Sequence, residues 1–122
     1  MSVRFGSSVR IKARHEFQVV QTQGRRAATR FVTLLVVPNH HPHDRLGLIA
    51  SRKFGNAVAR NRAKRRLREV FRQLEPDTVG ARGLQGLDVV AIPRRALLDA
   101  PYGEVATDVA ATLARLRREV TA

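Results

Sequence analysis

This 122-residue chain has no cysteine and no tryptophan, a single tyrosine, and an aromatic content of only 5%. Without cysteine there can be no disulfide framework, no thiolate-bound zinc and no thiol nucleophile, a usage that fits the cytosol. Acids are scarce too: 10 Asp and Glu stand against 23 Lys and Arg, a formal net charge of +13. That excess directs the protein to a polyanion, nucleic acid first and an anionic membrane surface second. No run approaches the roughly 20 apolar residues that a bilayer span needs. The opening MSVRFGSSVRIK lacks the apolar centre of a signal peptide. A cytoplasmic protein without membrane attachment is expected.

What remains is ordinary globular material. A hydrophobic content of 43% argues against disorder, and the length suits one core rather than two. Residues 1–122 are therefore read as a single domain, with 1–12 as a loose basic arm. Residues 14–23 predict a short helix, with Phe17 and Val20 on one face and Gly24 as its stop. FVTLLVV at 31–37 predicts a strand ended by Pro38, and LGLIAS at 46–51 a second strand. A further short strand is possible near Arg26–Arg30. Gly55-Asn56 breaks the chain before a long helix over 57–74, stopped by Pro76. A glycine-rich loop at 76–86 leads to the strand 87–92, and Pro101 opens the final helix. There Val105, Val109, Leu113, Leu116 and Val120 make one apolar stripe. The expected fold class is α/β (α+β), a two-layer sandwich of a small mixed sheet with helices, in the order α-β-β(-β)-α-β-α.

The segment Arg52–Arg72, RKFGNAVARNRAKRRLREVFR, holds nine Arg or Lys residues and one acid, Glu69. At about 100° per residue, Ala59, Ala63, Leu67, Val70, Phe71 and Leu74 share the arc that faces the sheet. Asn61, Arg62, Lys64, Arg65, Arg66, Arg68 and Arg72 lie off it. Arg60, Lys64, Arg68 and Arg72 follow one another at i+4 and form an axial row. Their mutual repulsion weakens the isolated helix, and a polyanion would relieve it. Two or three such cations would mean only a solvated face; nine with one acid point to nucleic acid. Phosphate contacts of this kind supply affinity and salt dependence, not sequence readout.

The order inside the segment says more. Lys53-Phe54-Gly55-Asn56-Ala57-Val58, then Arg60-Asn61-Arg62, Lys64-Arg65 and Arg68, closely resembles the signature of the protein component of bacterial ribonuclease P. Phe17 to Gly24, Arg30-Phe31, Arg45-Leu46-Gly47-Leu48 and Asp88-Val89-Val90 agree with it in order and spacing, so the resemblance spans roughly residues 10–120. It implies a left-handed βαβ crossover through 46–51, 57–74 and 87–92, where general topology would give the right hand. It implies a partner, the catalytic ribonuclease P RNA, and a substrate, precursor tRNA, whose 5′ leader is removed by RNA-borne chemistry with Mg²⁺ held mainly by the RNA. Arg60, Asn61, Arg62, Lys64, Arg65, Arg68 and Arg72 would then face the catalytic RNA, Asn61 near an interface Mg²⁺. Phe17, Arg52 and Lys53 would line a cleft for the single-stranded leader, where an aromatic ring can stack on any base. The chain departs from the family by lacking further aromatics at Val20 or Gln21 and at Leu34 or Leu35. Phe17 also admits the plainer role of a core residue. The free protein is expected to be monomeric.

The remaining candidates are poorer. His40, His41 and His43 fall in a proline-bounded loop without the spacing of a closed zinc shell. Asp44, Glu69, Glu75, Asp77 and Asp88 form no evident carboxylate pair, and Ser51 has no nucleophile-elbow context. No catalytic residue is therefore assigned to the protein. A general RNA-binding protein, ribosomal or chaperone-like, is the alternative. A helix-turn-helix regulator would need two adjacent short helices, and here strands flank the basic helix.

Overall fold

The computed structural model describes residues 10–11, 13–74 and 86–121. The elements follow the chain as α1 (Arg14–Gln23), β1 (Arg25–Ala28), β2 (Val32–Pro38), β3 (Arg45–Leu48), α2 (Ala57–Arg72), β4 (Leu87–Pro93), a 3-10 helix (Arg95–Leu98) and α3 (Tyr102–Thr121). The four strands form one sheet in the order β1-β2-β4-β3. The β1–β2 and β2–β4 pairs are antiparallel, and β3 runs parallel to β4. The unit β3-α2-β4 is thus a parallel crossover between adjacent strands. Pro38 and Pro93 occupy the last positions of β2 and β4, where a missing N–H donor costs least.

Alternation along the strands sorts the core to two faces. Val32, Leu34, Val36, Leu87, Val89 and Ala91 meet Ala63, Leu67, Val70 and Phe71 of α2 and the stripe of α3, of which Val105, Val109, Leu113 and Leu116 are buried. Val120 is half-buried against the same core. On the opposite face Leu35 and Val90 pack with Val20 and Phe17 of α1 and with Ile11. The main sandwich is therefore the sheet with α2 and α3, and short α1 covers part of the other side.

Several expected boundaries move. The strand expected at 46–51 ends at Leu48; the Ile49 N–H still donates to Ala91 O (3.1 Å) before the chain turns away at 52–54. Helix α2 ends at Arg72 rather than 74, although Leu74 keeps its place against the core. Asn56 begins it by accepting from the Ala59 N–H (2.9 Å), an N-cap. Gly24 ends α1 in extended backbone (φ −74°), not in the left-handed turn usual for glycine. Its need is space, since a Cβ there would overlap Val20 O and press on Val36 O at 3.1 Å. Most of the expected loose arm, the loop 76–85 and the stop at Pro76 lie outside the described residues. Arg10 and Ile11 are not loose: Arg10 bridges Leu46 in parallel, and the Ile11 N–H donates to Leu46 O (3.0 Å). Burial of the Ile11 side chain among Val20, Leu35 and Val90 drives that docking.

Candidate nucleic-acid interface

The wheel drawn for α2 is correctly phased. Ala63, Leu67, Val70 and Phe71 are buried, and Asn61, Arg62, Arg65, Arg68 and Arg72 are exposed. Not every cation is equally available. Arg62 donates to Leu98 O (3.1 Å), while Arg66, half-buried, donates to Leu97 O and to Ala100 O (2.8 Å). These two arginines hold the carbonyl end of the 3-10 helix, which a segment between Pro93 and Pro101 cannot satisfy by continuing into an α-helix. Arg60 reaches back to Gly55 O (2.8 Å), and Arg72 pairs with Glu69 (2.5 Å). Asn61, Lys64, Arg65 and Arg68 have no hydrogen-bond or ion-pair partner among the described residues. Arg68 carries unrelieved repulsion: burial first, then the neighbouring Arg10 and Arg65 cations, push its guanidinium below its ordinary value.

Beside this row lies a groove of about 410 Å³, lined by Arg14 and Phe17 of α1, by Leu48, Ile49 and Ala50 at the end of β3, and by Lys64 of α2. That volume falls within the roughly 300–1,000 Å³ of small-ligand sites. Phe17 stands where core and groove meet. Its ring packs with the Val20–Leu35–Val90 cluster and also lines the groove. The ring rests on the bare backbone of Gly47, where any Cβ would overlap it. Arg52 and Lys53 do not line the groove; both are exposed in the turn that follows its Ala50 wall. Arg14 was not singled out from the sequence. Only the register of α1 against β3 reveals it.

Two ionic clusters fix this geometry. Arg45 on β3 donates from Nε and Nη2 to Asp88 (2.8 and 2.6 Å) and from Nη1 to Glu16 of α1 (2.9 Å). Asn39 adds a bond to Asp88 Oδ1 (2.9 Å). The hydrogen bond from Arg45 holds the Glu16 carboxyl below the ordinary carboxylate range, against the desolvation that acts the other way. The bond to Asp88 raises the Arg45 guanidinium above its ordinary value. Farther away, the Asp44 side chain is fully buried, accepting from Arg117 (2.6 Å) and from the Leu87 N–H (2.7 Å). Asp44, Asp88 and Glu16 thus act as fasteners; no two of them converge on a free cavity. In the histidine loop, His41 and His43 stack at 6.2 Å and His40 adopts a positive φ of 60°. No group of three or more His, Asp or Glu able to hold a metal occurs among the described residues. None of their helices is long and apolar enough to cross a membrane.

The chain matches the Ribonuclease P family model over residues 5–117. It is 45% identical over 97 residues to the ribonuclease P protein component of Symbiobacterium thermophilum, covering 79% of this chain and 80% of that protein. Against the Bacillus cereus protein component the identity is 37% over 106 residues, 86% of this chain and 85% of the relative. Among solved structures, the RNase P protein from Thermotoga maritima superposes with a TM-score of 0.74 at 29% identity, covering 87% of this chain and 96% of that one. The Staphylococcus aureus RNase P protein gives 0.71 at 28% identity, with 88% and 96% covered. Matched by the family model over most of its length and by these relatives over more than two thirds of theirs, the chain belongs to the ribonuclease P protein family.

Proposed function

We infer that this chain is a protein component of ribonuclease P, partnered with the ribonuclease P RNA in an enzyme that removes the 5′ leader from precursor tRNA. One observation carries the reading: Lys64 belongs both to the cationic row of α2 and to the wall of a groove containing Phe17. A surface for structured RNA and a slot for a single strand are thereby continuous. In this reading Arg60, Asn61, Arg62, Lys64, Arg65, Arg68 and Arg72 contact the catalytic RNA. Phe17 lines the path of the single-stranded leader, and Arg52 and Lys53 guide it past the groove's end.

Phosphodiester hydrolysis belongs to the RNA and its Mg²⁺. Asn61 offers one amide oxygen among Arg60, Arg62 and Arg65, a setting that disfavours a divalent cation held by protein alone, so its role is confined to the interface. The protein works in the cytoplasm, as a single domain and as a monomer when free. The test is 5′ processing of a precursor tRNA at low Mg²⁺ by a bacterial ribonuclease P RNA, with and without the protein. Strong stimulation is expected, with no cleavage by protein alone. Intact RNA binding without stimulation would reject the reading.

A further inference from the structure

The groove contains one aromatic side chain, Phe17, and two cations, Arg14 and Lys64. The ring is half-buried, seated on Gly47 and shared with the Val20–Leu35–Val90 cluster, so part of its face is already consumed by the core. The other lining residues, Leu48, Ile49 and Ala50, offer no ring. The cations are the reverse. Arg14 is exposed, and neither it nor Lys64 has an acid or carbonyl partner among the described residues. They come from different elements, Arg14 from α1 and Lys64 from α2. Arg14 also occupies the first position of α1, where a positive charge opposes the helix dipole, so helix stability does not account for it.

Resting on the leader-groove reading above, we propose that this chain holds the leader by its phosphates rather than by its bases, and that Arg14, with Lys64 as the second cation lining the groove, is the residue that does so. A single strand lying in a groove lined by two cations is bound through its backbone, with Phe17 limiting its path more than stacking on it. Recognition then tolerates any base at that point and depends steeply on salt.

The test uses the reconstituted holoenzyme and four ligands: precursor tRNA with a natural leader, with abasic sugars through the groove-contacting stretch, with uncharged methylphosphonate linkages there, and mature tRNA without a leader. The abasic leader should keep most of the affinity gained over mature tRNA, and the methylphosphonate leader should lose it. Arg14→Gln should weaken natural-leader binding and lower its log–log salt slope by roughly 0.7, the share of about one phosphate on a single strand. It should leave the methylphosphonate and leaderless ligands unchanged. An abasic leader that binds like mature tRNA, beside a methylphosphonate leader that binds like the natural one, overturns the proposal in favour of stacking. So does an Arg14→Gln protein with an unchanged slope. Equal affinity for natural precursor and mature tRNA would instead remove the leader groove itself, a different failure read from the same titrations.

Discussion

Arg65 and Arg66 are neighbours with different work. Arg65 is exposed with no partner among the described residues, whereas Arg66 holds Leu97 O and Ala100 O. Arg65→Ala should weaken assembly with the RNA and leave the melting temperature nearly unchanged. Arg66→Ala should cost about 1.5–3 kcal/mol of folding, the range for hydrogen bonds from a charged donor. Parallel RNA titrations and thermal melts on the two variants separate these outcomes. A helical wheel distinguishes core from surface well, and it did so for Ala63, Leu67, Val70 and Phe71. It says nothing of which surface arginines are tied down, because their carbonyl partners belong to a 3-10 helix some 30 residues later in the chain.

At the scale of elements, the helices were legible where an apolar period met a clear stop, as in α1 over 14–23 and the stripe of α3. The 3-10 helix was not legible, since four residues between prolines carry no period. Nor were the ion pairs that lock elements together. Arg117 finds Asp44 at a separation of 73 residues, and nothing local marks either as a partner. Asp44→Ala would take the carboxylate away from a nearly buried arginine and remove the acceptor of the Leu87 N–H; a loss of about 3–5 kcal/mol is expected in denaturant unfolding. The Glu16–Arg45 link between α1 and β3 has a pH signature. With its carboxyl lowered in the fold, Glu16 binds fewer protons folded than unfolded. Its stabilisation is complete above the ordinary carboxylate range and is lost as pH falls through the lowered value. Glu16→Gln should therefore flatten the acid limb of the stability–pH curve and leave neutral pH less stable than wild type.

For the whole molecule, charge is the property read most directly from composition, and it makes a quantitative claim. If about six phosphates are neutralised, the logarithm of the binding constant for single-stranded RNA should fall with the logarithm of salt at a slope near −4. A slope near −1, measured by titration at several salt concentrations, would mean that most of the row on α2 stays in solvent. The groove, by contrast, is assembled from α1, β3 and α2 and exists only once they pack. The sequence could nominate Phe17 but not the residues facing it.

The docking of Ile11 on Leu46 bears on how such a protein survives crowding. A sheet has two open edges, each able to recruit a strand from another copy. The β3 edge is already occupied in part by Arg10 and Ile11. The other edge, β1, is four residues long and exposes Arg25 and Arg26, the first held by Glu119 at 2.8 Å. An incoming strand would find one side partly taken and the other guarded by positive charge. Crowded copies of this chain can therefore stand close together without their sheets joining.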